Sequence, residues 1–178
     1  NGAVMQMFNH GTITAMLFLL VGVIYDRAHH RYIFFPKGHE NEGELGFGGL
    51  NSKLPVFGAF VALTFFAGLG LPALSGFISE AMCFIGGFSA FRTITIIGTL
   101  GILLNAIYFL RAYQYVFFGK LNEKYDDLTD MNLREIGIII PLAFLVILFG
   151  VYPSPLLDFI HPTMDGLIEI IQDSSSFL

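Results

Sequence analysis

From Pro55 to Phe88 the chain runs about 34 residues with one charged side chain, Glu80, and in the middle of that run stands GLGLPALSGFISE. A continuous helix of that length measures roughly 51 Å, against a hydrocarbon core of about 30 Å. The run is therefore two short crossings or one broken one. Lipid is the solvent that the composition calls for: 54% of residues are hydrophobic and 13% charged, with a mean hydropathy of +0.69, where an ordinary soluble domain carries about 25% charged residues.

Three further apolar runs, at about 2–25, 94–118 and 136–152, are long enough to cross. Positive charge decides the topology. If 55–88 is one interrupted crossing, Arg27, Arg31, Lys37, Lys53, Arg111, Lys120, Lys124 and Arg134 all gather on one side, and only Arg92 is left on the other. Two crossings would instead place the basic loops on opposite sides. Cytoplasmic-side enrichment of Lys and Arg favours the lopsided split. The expected fold is an all-α integral membrane protein with four transmembrane helices, the second discontinuous at about Leu71–Leu74. Pro153 and Pro155 stop the last span. After Pro162, residues 163–173 form an amphipathic surface helix, with Met164, Leu167, Ile168 and Ile171 on one stripe.

The break has a local cause in sequence. Gly68, Gly70 and Gly76 loosen the backbone, and Pro72 lacks a donor and clashes with the preceding turn. Lipid cannot pair the freed backbone groups, so the break has to face protein or water. Ser75 is placed to cap the second half-helix, which puts Glu80 little more than one turn in.

Ionisable residues inside a membrane cost about 2.5 to 3.5 kcal/mol on insertion scales and mark functional positions. The two candidates are Glu80 and His10, at similar depth from the same side. Burial and a nearby half-helix N-terminus act in opposite senses on a carboxyl, which suits it to loading and releasing a proton. An imidazole both donates and accepts, which suits a relay. His10 shares a stripe with Gln6 and Thr14 at i, i+4 spacing, next to Asn9. Gln6, Thr14, Ser75, Ser79, Asn105 and Tyr108 are the candidates to line a water path. The bland rival is a bundle whose Glu80 and His10 are dry hydrogen-bonding partners.

Other signals exclude more than they assign. His29, His30, His39, Glu40, Glu42 and Glu44 lie in a loop without metal-ligand spacing, so no metal site is expected. GFGG at 46–49 lacks the full dinucleotide fingerprint and reads as a loop. Cys83, the one cysteine, reads as a small apolar filler, and a net charge of −5 gives no argument for nucleic acid. The chain opens on Asn1, at the edge of an apolar run and with no basic leader, and is expected to be the C-terminal portion of something longer.

The stretches NGAVMQMFNHG, LFLLVGVIYDRAHHR, FGGL, LGLPALSGFISE, YFLRAYQYVFFG and NLREIGIIIPLAFLVILFGVYPSPLLD, in this order, resemble the final four spans of the antiporter-like subunit M (subunit 4) family of the proton-pumping NADH:quinone oxidoreductase, respiratory complex I. The resemblance covers nearly the whole chain. It implies an inverted-repeat antiporter fold, with LPALSGFISE as the break of the second discontinuous helix. Glu80 then matches the carboxylate where the proton path nears the outer side, and His10 the histidine that links the central chain of protonatable groups to that exit. The family's Glu and Lys pair and further Lys of earlier helices have no counterpart here, so only the outlet half is implied.

The resemblance further implies an energy-transducing inner membrane, mitochondrial or bacterial plasma, as the location. The expected partners are lipids and other membrane-arm subunits, including a chain carrying the missing N-terminal helices. No cofactor is expected in this chain, with flavin, iron–sulfur clusters and quinone held by other subunits. The alternatives are a multisubunit sodium/proton antiporter and a plastid-type relative fed by ferredoxin.

Overall fold

The computed structural model describes residues 1–175. Among them the regular structure is helical: α1 (Gly2–Ala28), α2 (Pro55–Gly68), α3 (Ser75–Ala90), α4 (Arg92–Phe117), α5 (Leu133–Val151) and α6 (Ser154–Ser175), with short 3-10 turns at Leu50–Ser52 and Glu123–Tyr125. The helices α1, α4 and α5 are long and apolar enough to cross a membrane, and α2 is a shorter apolar helix of 14 residues.

The two helices of the 55–88 region lie end to end. Along α1, Gly2 meets Met82, Gln6 meets Ser79, Asn9 meets Ser75 and Ile13 meets Gly76 and Gly68. Further on, Leu20 and Ile24 share a cavity wall with Val61 and Phe57. The facing residue number thus falls steadily from α3 into α2 as α1 advances. The long helix α4 repeats the pattern: Thr95 faces Gly87, Asn105 faces Gly68 and Tyr113 faces Gly58. Two unbroken helices therefore splint one broken one.

Packing inside lipid gains little from water exclusion, so close contact and hydrogen bonds hold such a bundle together. The buried side chains include Met5, Met16 and Leu20 of α1, Phe57 and Val61 of α2, and Val146 of α5. At the end where α1 finishes and α5 starts, the Arg27 guanidinium takes both carboxylate oxygens of Glu135 at 2.9 and 2.8 Å. It also donates to the carbonyls of Thr129 and Asp130. Asp130 in turn accepts from the backbone amides of Val56 and Phe57 at 2.8 and 3.1 Å, satisfying donors that the first turn of α2 leaves open. One arginine thus ties together α1, the start of α5 and, through Asp130, the start of α2.

Several boundaries depart from the expected ones. Starting at Leu133, α5 precedes its apolar run because Asn132 and Glu135 form a reciprocal capping box, each side chain bonding the other's amide at 2.9 Å. The gap left between the apolar runs 55–88 and 94–118 shrinks to Phe91 between α3 and α4. The C-terminal helix begins at Ser154 rather than after Pro162. Pro155 falls in its first turn, where no amide is needed, and Pro162 is carried inside the helix at the loss of one backbone bond.

The loop after α1 folds back on itself, Phe35 and Gly46 donating to the carbonyls of Glu44 and Ile33. His30 anchors it, stacked on Phe47 at 4.5 Å with Nε2 against the Tyr125 hydroxyl at 2.5 Å. The Tyr32 amide donates to His30 Nδ1, which makes Nδ1 an acceptor and the imidazole neutral. Burial, aided by the neighbouring His39 and Lys124, holds this imidazole below its ordinary value. An opened loop binds a proton at about 6.5, so the loop's stability is full above that value. It falls as the pH drops through it towards the lowered folded value. Protease cleavage within residues 31–46 is expected to accelerate between about pH 7.5 and about pH 5.5, and His30→Phe is expected to remove most of that acceleration.

Candidate functional site

Gly70 ends α2. It takes φ +73°, its amide donates to the Ala67 carbonyl at 3.2 Å, and the Leu71 amide donates to Phe66 at 3.0 Å. This pair of reversed bonds is how a glycine in the left-handed region closes a helix. The break therefore starts at Leu69 rather than Leu71. Pro72 comes after the helix has ended, so it bars re-entry instead of causing the interruption.

The chain then turns through Ala73, whose φ of +75° is unusual for a residue with a Cβ. What holds it there is α5: Gly150 lies so close that a Cβ on it would strike the Ala73 carbonyl and the Leu74 backbone. Gly76 likewise lets the first turn of α3 sit on the end of α2, since its Cβ would strike the Ala67 carbonyl. Ser75 does not cap α3. Leu74, extended at φ −112° and ψ 152°, occupies the capping position, so Ser75 falls one residue late and its buried hydroxyl makes no hydrogen bond.

Beside this break, α1, α2, α3 and α4 enclose a cavity of about 200 Å³ lined by Gln6, His10, Thr14, Glu80, Asn105 and Tyr108, with Ala67 and Gly68 from the end of α2. Its volume is enough for several water molecules. Within the wall, Glu80 is half-buried while His10 and Tyr108 are exposed. The Glu80 carboxylate turns back over the break, with Oε2 2.6 Å from where a Gly70 Cβ would stand. Gln6 reaches both sides of the site: its Oε1 accepts from the Ser79 hydroxyl, and its amide group lies against Glu80. Thr14 spends its hydroxyl on the carbonyls of its own helix. Asn105 donates from Nδ2 to the Gly68 carbonyl at 2.8 Å.

Ser75 and Ser79 stand outside the cavity wall. Both are buried against α1, where Asn9 Nδ2 donates to the Ser75 carbonyl at 2.8 Å and to Ser79 Oγ at 3.0 Å. In the sequence Asn9 stands out only as a neighbour of His10, and Gly150 does not stand out at all. The available signals were a polar amide inside an apolar helix and a glycine at the end of a span, where a backbone can come close. Among the described residues, no group of three or more His, Cys, Asp or Glu side chains is arranged to hold a metal ion.

The site thus comprises two helices laid end to end, α1 and α4 running alongside both, and a carboxylate and a histidine in the cavity beside the break. The family described as NADH:quinone oxidoreductase/Mrp antiporter, TM matches residues 1–105. The chain belongs to this family. It is 37% identical over 170 residues to NADH-quinone oxidoreductase subunit M of Rhodobacter capsulatus, covering 95% of this chain and 31% of that protein. It is 36% identical over 169 residues to subunit M of Rickettsia bellii, covering 94% and 32%. With NADH-ubiquinone oxidoreductase chain 4 of Chondrus crispus it shares 34% over 171 residues, covering 96% and 32%. The chain spans about a third of the length of these curated relatives, and corresponds to a fragment of the subunit M / chain 4 type. As a member of the antiporter family with several apolar helices, it is a multi-pass protein of an energy-transducing membrane.

In this family member three glycines have distinct tasks that substitution separates. Gly76→Ala is expected to destabilise by about 1–3 kcal/mol, because the new methyl meets backbone. Gly70→Ala is expected to cost about 1–2 kcal/mol through its left-handed φ. Gly86, with open space around it, is expected to gain about 0.5–1 kcal/mol as alanine. Thermal unfolding of the detergent-solubilised protein checks this order.

Proposed function

We propose that this chain is the C-terminal part of a proton-translocating, antiporter-like membrane-arm subunit of NADH:quinone oxidoreductase, supplying the outlet half of a proton channel. The observation that carries the reading is the cavity at the helix break, where Glu80, His10, Gln6 and Asn105 share one wall with the end of α2. The carbonyl end of a helix bears a partial negative charge. Together with the Glu80 carboxylate it makes this cavity favourable to a positive charge. A proton on the His10 imidazole passes through water in the cavity to the Glu80 carboxylate. Glu80 then releases it to water on the outer side, and is ready to accept the next.

The finer topology belongs to the same reading. With α2 and α3 as one interrupted crossing, the chain crosses four times. Arg92 then lies on the outer side, and the remaining Lys and Arg residues lie on the inner one. On the outer face α6 lies along the surface, its apolar stripe of Met164, Leu167, Ile168 and Ile171 turned towards lipid or protein. The partners are the other membrane-arm subunits, among them a chain bearing the helices absent here. Flavin, iron–sulfur clusters and quinone belong to other subunits, so this chain contributes to the enzyme without a redox centre.

A sodium/proton antiporter assembly is the second reading, since the family description itself covers both kinds of protein. The named relatives, all subunits of NADH-quinone or NADH-ubiquinone oxidoreductase, favour the first. NADH oxidation by the purified native assembly separates the two. For the site itself, Glu80→Gln in the assembled complex is expected to lower proton pumping in sealed vesicles several-fold. Native pumping at native assembly would remove Glu80 from the path.

A further inference from the structure

Among the acceptors at the end of α2 that the turn does not pair is the Gly68 carbonyl. The reversed bonds around Gly70 pair the carbonyls of Phe66 and Ala67. Gly68 lies four residues before Pro72, which has no N–H to offer. Asn105 of α4 fills that gap by donating to the Gly68 carbonyl at 2.8 Å. A carbonyl only accepts, so this bond dictates how the side-chain amide is turned, with the NH2 towards the backbone and Oδ1 away from it. Asn105 also lines the cavity with His10 and Glu80, and among the described residues its Oδ1 is neither a buried unpaired atom nor bonded to protein.

We propose that Asn105 is a positioning residue for proton transfer, holding the end of α2 at the cavity wall and presenting a fixed acceptor to the water between His10 and Glu80. The assignment rests on the proton-outlet reading of this cavity. Asn105 does not titrate, so it takes no proton itself. Its Oδ1 orients water along the path and favours a passing positive charge, whereas a reversed amide would oppose it with its NH2. The residue that repairs the break is therefore the one that sets the polarity of the opposite wall. Its place on α4 lets a change in the tilt of that helix reach both the α2 end and the water at once.

The test compares variants in the assembled complex, reconstituted in sealed vesicles, reading protons moved per NADH oxidised. Asn105→Leu keeps the shape and loses both polar groups, and is expected to lower that ratio by at least about two-fold. Asn105→Ala, which is smaller and makes fewer demands on packing, is expected to do the same and serves if the leucine variant does not assemble. Recovery of the ratio by Asn105→Gln, which retains donor and acceptor, separates positioning from loss of packing. Glu80→Gln is measured in parallel. A native ratio in that variant overturns the outlet reading as a whole. A lowered ratio there, with native ratios in the assembled Asn105→Leu or Asn105→Ala protein, overturns the Asn105 assignment alone.

Discussion

A helix interrupted inside a bilayer frees amides and carbonyls that hydrocarbon cannot pair, and each one left open costs several kcal/mol. That constraint organises this protein. The turn at Gly70 satisfies part of the debt internally, and a side chain from another helix meets a further part. Asn105 of α4 serves the end of α2, and Asn9 of α1 fastens the start of α3 through the Ser75 carbonyl without pairing any of its open amides. Because the donors come from opposite neighbours, the break can exist only where both neighbours are in register. The same requirement keeps it from drifting along the membrane.

Fixing the break at its centre would be of little use if the half-helices could pivot. Gly150 and Gly76 prevent this near the break by bringing backbone against backbone, and Arg27 prevents it at the far end of α2. The Arg27–Glu135 pair is mostly buried, with side-chain exposures of 14% and 20%. Two-pronged guanidinium–carboxylate geometry defines direction as well as distance. Through Asp130, this pair reaches the first amides of α2. The half-helix α2 is thus held at both ends and α3 at its start, and the cavity beside the break keeps its shape without needing a continuous rod.

Within that frame the chemistry divides between two faces of α1. One face carries Asn9, which locks the broken helix in place. The other carries Gln6, His10 and Thr14, which line the cavity with Glu80. Gln6 bridges the two, since its amide touches Ser79 on the structural side and Glu80 on the cavity side. A family that includes both redox-driven complexes and antiporters fits a site of this kind.

The apolar runs, the lopsided basic residues and the single carboxylate at Glu80 were enough to give the helical membrane fold and to point to the break, because the exclusion of charge from lipid acts residue by residue. The polar members of the cavity were legible for the same reason: Gln6, His10, Asn105 and Tyr108 are each out of place in hydrocarbon. Which of them face one another was not legible, since that depends on the register of α1 and α4 against the broken helix. The sequence puts the cap at Ser75 and the break at about Leu71–Leu74, shared among Gly70, Pro72 and Gly76, whereas in the structure no side chain caps α3 and the break begins at Leu69, closed by Gly70. Local propensity allows several turns in that glycine-rich stretch. Only the backbone of α5 at Gly150 and the amides of Asn9 and Asn105, contributed from elsewhere in the chain, select the one that forms.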